Sequence, residues 1–115
     1  MPSITKVEVE TFLAEFRKFW PPKHFVVPRV ENNEALIDLN LTPQIRREII
    51  YHLSANNYVR GPEQDYTKQG EYIWEFGFDY DGVEIYIKLQ IIKREKFSKC
   101  ISFHRPKYKI RYKLI

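Results

Sequence analysis

The chain is poor in the residues that hold metals and disulfides: among 115 residues there is one cysteine, Cys100, and there are three histidines, His24, His52 and His104. A single thiol excludes an internal disulfide, and the scattered histidines lack the paired spacing of a zinc site, so neither a structural metal nor a cofactor is expected. No apolar run approaches the roughly 20 residues that a membrane-spanning helix requires. The start, Met1-Pro2-Ser3-Ile4-Thr5, carries neither the basic stretch nor the apolar stretch of a secretory signal. These absences lead us to expect a cytoplasmic protein with no membrane partner. No internal repeat or low-complexity segment divides the chain. With 43% hydrophobic and 16% aromatic residues it has the apolar mass for one core, and its length suits a single domain over 1–115.

Charge is unevenly distributed. From Tyr86 to Ile115 ten lysines and arginines face one glutamate, a net +9, so the rest of the chain carries −5 of the overall +4. A basic segment joined to an acidic one points to a polyanionic partner, because cations that neutralise phosphates release condensed counterions. An uneven but merely solvated surface fits the same count.

The first half reads as helices. Thr5-Lys6-Val7-Glu8 has the form of a capping box, and Val9, Phe12, Leu13, Phe16 and Trp20 recur at helical spacing up to Pro21-Pro22, which stop the helix. Phe25-Val26-Val27 suggests a short strand and Asn33 to Asp38 a short helix. A further helix starts with Thr42 as cap and Pro43 in its first turn. It buries Ile45, Ile49, Ile50 and Leu53 and ends near Ser54.

The second half reads as sheet. Glu71 to Tyr80 and Val83 to Ile92 flank Asp81-Gly82, a strong signal for a two-residue hairpin turn. Pairing Tyr80 with Val83 sets Gly77 opposite Tyr86, Phe76 opposite Ile87 and Glu75 opposite Lys88. Alternation then sends Trp74, Phe76, Phe78, Ile85, Ile87, Leu89 and Ile91 to the face under the helices, and Glu75, Tyr86 and Lys88 to the other. A third run, Cys100 to His104, should add Ile101 and Phe103 to the apolar face, leaving Ser102 and His104 opposite. The expected architecture is α+β, with the N-terminal helices packed on one face of an antiparallel sheet.

An acid, a tyrosine, a cation and a histidine would then share one surface. Cleavage of RNA needs a base for the 2′-hydroxyl proton, an acid for the departing 5′-oxygen and cations for the phosphorane, and this set can supply all three. Each residue also has an ordinary explanation. Glu75 and Lys88 fit a cross-strand ion pair, Tyr86 a half-buried strand aromatic, and His104, like His24 and His52, a structural or solvated imidazole.

Over roughly Pro28 to His104 the chain carries Leu41-Thr42-Pro43 leading a helix, Tyr58-Val59-Arg60-Gly61-Pro62-Glu63, Trp74-Glu75-Phe76-Gly77, Ile85-Tyr86-Ile87-Lys88-Leu89 and Cys100-Ile101-Ser102-Phe103-His104. Together these blocks resemble the MqsR family of bacterial toxins, which work in toxin-antitoxin pairs. The resemblance implies a RelE-like fold and a metal-independent ribonuclease that cuts messenger RNA at short sequences until a cognate antitoxin blocks it. It implies Arg60, Glu75, Tyr86 and His104 as catalytic positions. The better-known members of that family carry lysine, glutamine and lysine where Arg60, Glu75 and His104 stand, so their cleavage sequence does not transfer. The residues here read instead as a carboxylate base, Glu75, and an imidazole acid, His104, with Arg60, Tyr86 and Lys88 on the phosphate and Ser102 beside them.

Beyond the matched blocks, 105–115 alternates cations with apolar residues and is expected to form a basic C-terminal strand. Lys107, Lys109 and Arg111 would follow the RNA backbone, with Tyr108 and Tyr112 stacking on bases or gripping the core; a charged edge that discourages sheet association fits equally. The alternative to the enzyme is a non-catalytic basic module that binds RNA or protein.

Overall fold

The computed structural model describes residues 3–20, 25–67 and 71–114; the helix stop at Pro21-Pro22 and His24 lie outside them. The chain is α+β, with three α-helices and a five-stranded mixed sheet among the described residues. Helix α1 is Lys6–Phe19, and the short strand β1 is Phe25–Val26. Helices α2 (Val30–Asp38) and α3 (Pro43–Tyr51) follow, then a 3-10 turn at Ala55–Asn57. Strands β2 (Tyr58–Gln64), β3 (Tyr72–Tyr80), β4 (Val83–Ile92) and β5 (Phe97–His104) complete the sheet, in the order β1-β5-β4-β3-β2. No helix among the described residues is long and apolar enough to cross a membrane.

Local chemistry sets the helix ends. At α1 the Glu8 amide donates to the Thr5 hydroxyl and the Thr5 amide donates back to the Glu8 carboxylate, which satisfies two otherwise orphaned donors. Thr42 accepts from the Ile45 amide to cap α3, with Pro43 in its first turn. The apolar stripe of α1 lies on the sheet, Phe12 stacking on Trp74 at 4.5 Å between ring centroids. Ile49 and Ile50 of α3 join the same core.

The β3–β4 hairpin has the expected register, from Tyr80 opposite Val83 through Gly77 opposite Tyr86 to Glu75 opposite Lys88. Phe76, Ile85, Ile87 and Leu89 are fully buried on the helix side, with Trp74 and Phe78 packed around them.

The structure corrects the sequence reading at four points. The sheet is mixed rather than antiparallel, because β1 pairs with β5 in parallel. Helix α2, with Leu36 and its C-cap Leu39 packed on the core, also runs beside the edge of β5. There the buried Asn32 carboxamide donates to the carbonyls of Val27 and Ile101 and accepts from the Phe103 amide, each at 2.9 Å. It thereby takes over the edge of β5 where β1 stops. In the β4–β5 pairing the register shifts between Lys88 and Leu89, so that Cys100, not Ile101, faces Leu89 and joins the core beside Phe103. One extra residue at a bulge moves everything before it out of phase with everything after it. Ser102 and His104 follow the bulge and keep their expected places opposite Lys88 and Tyr86.

The fourth correction concerns 105–114, which contains no strand. The segment instead crosses the polar face of the sheet. Ile110 is buried, and a Cβ at Gly77 would lie 2.8 Å from the Tyr112 hydroxyl and 2.9 Å from Ile110. Glycine at 77 is therefore what lets this strap lie flat. The strap ends at β2, where the Lys113 amide donates to the Tyr58 carbonyl.

Asn32→Ala leaves three backbone groups without their partner. At about 1 kcal/mol or more each, the substitution should destabilise the fold by about 3 kcal/mol in urea titration, while alanine at the exposed neighbour Glu31 should change it by less than about 0.5 kcal/mol. Gly77→Val should lift the strap, seen as faster amide exchange over 107–113 with exchange in β3 and β4 preserved.

Candidate active site

The polar face of β2–β5 forms the floor of an open cleft of about 860 Å³, walled by α2 on one side and by the strap on the other. Two rows of side chains cross this floor. Arg60, Glu75, Lys88 and Ser102 sit opposite one another on four successive strands, and Gly77, Tyr86 and His104 form the adjacent row. Arg60, Glu75, Tyr86, Lys88, Ser102 and His104 all line the cleft, as do Lys107, Lys109 and Arg111 of the strap. The two rows meet where Tyr86 leans across to Glu75.

Glu75 is the centre of the arrangement. It is 7% exposed, and its Oε1 accepts a 2.7 Å hydrogen bond from the Tyr86 hydroxyl while its Oε2 lies 3.8 Å from Arg60 Nε. Burial pushes its carboxyl up. Hydrogen bonds from Glu63 and Tyr86, with Arg60 and Lys88 nearby, outweigh burial and hold it below the ordinary carboxylate value. Tyr86 is pushed well above the ordinary phenol value, chiefly by burial and then by its bond to Glu75, so it stays a donor. Lys88 makes no close ion pair with Glu75; its ammonium sits 5.9 Å from the centre of the Tyr86 ring.

His104 packs beside Tyr86, with ring centroids 5.6 Å apart, and its Nδ1 is 2.9 Å from the Arg105 carbonyl. A carbonyl only accepts, so this bond puts the proton on Nδ1 and leaves Nε2 as the nitrogen that can exchange one. Arg105 is itself tied to Asp38 of α2 through a 2.6 Å ion pair.

Arg60, which alternation alone could not place, projects from β2 with its side chain 64% exposed and most of its donors free for an anion. Of the other nucleophile or base candidates, Cys100 is fully buried in the core and burial pushes its thiol up to about 12. His52 caps α3 at the surface, 3.6 Å from Glu48. Tyr108 is exposed at the cleft rim, and Tyr112 lies against Gly77.

Sequence reasoning missed Glu63. Simple alternation from Arg60 puts it on the helix side, but β2 changes register twice, between Tyr58 and Arg60 and between Arg60 and Glu63. Glu63 therefore sits opposite Ile73, on the same face as Arg60 and Glu75. Gly61, at φ +122°, makes the irregularity possible, and the Tyr58 hydroxyl closes it by donating to the Gly61 carbonyl at 2.6 Å. A Gly-Pro pair inside a strand-like run was the available signal. Arg29, Glu31, Glu34 and Asp38 of α2 also line the cleft and were not anticipated.

No family model, curated protein or solved structure matches the chain.

Tyr86→Phe removes a bond that favours ionised Glu75, so the Glu75 midpoint should rise in a carboxyl NMR titration. The linked stability follows. A depressed folded midpoint stabilises the protein above the unfolded value of about 4.3 and is lost as pH falls through the folded value. The stability difference between neutral and acid pH should therefore shrink in Tyr86→Phe.

Proposed function

We propose that the protein is an endoribonuclease that cuts single-stranded messenger RNA by attack of the ribose 2′-hydroxyl, without a metal ion. The observation that carries this reading is convergence: a carboxylate, a phenol, an imidazole and a guanidinium from four adjacent strands line one cation-edged cleft.

In this reading the Glu75 carboxylate takes the proton from the 2′-hydroxyl as that oxygen bonds to phosphorus. Protonated His104 gives the Nε2 proton to the 5′-oxygen as its bond to phosphorus breaks. Arg60 supplies planar donors to the equatorial oxygens, Lys88 adds charge beside them, and Tyr86 keeps the Glu75 carboxylate aimed. Ser102 lies on the floor next to Lys88. Lys107, Lys109 and Arg111 hold the flanking backbone, where each neutralised phosphate releases counterions.

The sequence blocks that resemble MqsR toxins extend the proposal to a RelE-like toxin whose activity slows translation and growth and is blocked by a cognate antitoxin. Their arginine, glutamate and histidine departures fall at positions that line the cleft here. The competing reading, a non-catalytic module binding RNA or protein, draws on the burial of Glu75 between Tyr86 and Arg60, an arrangement that also serves a purely structural ion pair.

Purified protein in chelator should cut a defined single-stranded RNA and leave a 2′,3′-cyclic phosphate on the upstream product. Glu75→Gln and His104→Ala should each lower the rate by about 10²–10⁴-fold, and the rate should fall on the acid side as Glu75 takes up a proton. A 3′-hydroxyl product refutes the mechanism. RNA binding without cutting, unchanged in both variants, favours the non-catalytic module. Replacing Lys107, Lys109 and Arg111 with alanine should reduce the slope of log affinity against log salt by roughly 2.

A further inference from the structure

The helix side of the sheet carries a second concavity. A groove of about 390 Å³ runs along α1 and shares no lining residue with the cleft. Val7, Glu8, Thr11, Phe12 and Glu15 recur at spacings that put them on one face of α1, and they wall the groove over roughly 12 Å, about two helical turns. Pro62 of the edge strand β2, Tyr72 and Trp74 of β3 and Ile91 of β4 form the other wall. Helix α1 leaves part of this apolar lining in water: Val7 is 74% exposed and Tyr72 49%, although Phe12 and Ile91 beside them are buried. Apolar side chains gathered round one open hollow are the usual mark of an interaction surface.

Charge decides the kind of partner. Three carboxylates, Glu8, Glu15 and Glu71, stand around the groove against one ammonium, Lys93. None of the three is in an ion pair among the described residues. Glu8 uses Oε1 in the cap of α1. Glu71 Oε2 is shut off from water and has no donor among the described residues. A carboxylate oxygen in that state is destabilised, and a cation brought against it removes the penalty. The same charges exclude other occupants. Nucleic acid and anionic membrane surfaces are repelled by the rim. A second copy does not supply the match, because its basic segment 107–113 lies on its own polar face with Ile110 buried. An added strand is disfavoured too, since Pro62 lacks an amide hydrogen and β2 changes register twice.

We propose that this groove docks a short amphipathic helix of another protein, with its apolar stripe on Val7, Tyr72 and Trp74 and its lysines or arginines on Glu8, Glu15 and Glu71. Two turns of such a helix carry one apolar stripe flanked by cations three and four residues apart, which matches the length and the charge of the groove. The site lies across the sheet from Glu75 and His104, so docking here leaves the cleft open and does not rest on the ribonuclease reading.

Amide and indole NMR of the full chain tests the proposal with two probe peptides of about 14 residues. One is an amphipathic helix of leucine and lysine; the other has the same pattern with glutamate in place of lysine. The leucine-lysine peptide should shift the Trp74 indole and the amides of Val7, Thr11 and Tyr72, saturate at one per chain, and bind more weakly as salt is raised. The leucine-glutamate peptide should leave those resonances in place. Glu15→Lys with Glu71→Lys should weaken the leucine-lysine peptide about tenfold or more. Val7→Ser, at an exposed position outside the core, should weaken it severalfold and keeps the test decisive if the charge reversals disturb the fold. No shift in the groove up to about 1 mM peptide overturns the proposal, as do shifts confined to α2 or equal binding of the glutamate peptide. Self-association of the free protein in sedimentation equilibrium, abolished by Val7→Ser, also overturns it, because the groove then belongs to a second copy.

Discussion

Everything on the cleft floor depends on the register of β3 against β4. Side chains alternate with a period of two, so a slip of one residue would carry Glu75, Tyr86 and Lys88 into the helix layer and Phe76, Ile87 and Leu89 into water. Two features forbid the slip. The Asp81-Gly82 turn, with Gly82 at φ +89° and its amide donating to the Asp79 carboxylate, fixes the pairing from one end. The fully buried row of Phe76, Ile85, Ile87 and Leu89 fixes it along its length. The polar face inherits its precision from the apolar face behind it.

On that floor the balance around Glu75 is electrostatic rather than steric. Removing a carboxylate from water disfavours its charge, and at Glu75 this is the largest single influence. It is overcome only because donors and cations arrive from two strands, Arg60 and Glu63 from β2 and Tyr86 and Lys88 from β4, around an acid on β3. Such a group stays ionised although it is poorly hydrated. The strap closes the other side of the same space by placing cations over it without neutralising Glu75 directly.

Much of this was legible in the residue order, and what was not has a common cause. Caps at Thr5 and Thr42, the hairpin turn and the sorting of seven apolar strand residues follow from local rules that the structure repeats. Arg60, Glu75, Tyr86 and His104 could be named, and the structure sets them around one cleft. Alternation failed at Ile101 and does not reveal Glu63, because an inserted residue at a bulge changes the phase without changing composition. It failed differently at Lys107 to Leu114. Alternation there expresses the packing of Ile110 and Tyr112 against Gly77, and a segment lying across a sheet has no strand beside it to pair with. The edge role of α2 was invisible because it rests on one carboxamide, Asn32, contacting backbone about 70 residues away.

The Arg105 residue joins three parts of the molecule that would otherwise move separately. Its side chain grips Asp38 at the end of α2, its carbonyl orients the His104 ring, and its peptide begins the strap. The ion pair is half-exposed and contributes little to folding energy. Its effect is mechanical. Any displacement of the strap, or any tilt of α2, reaches the imidazole through a single peptide unit, so the nitrogen presented to the cleft is set by how the walls are held.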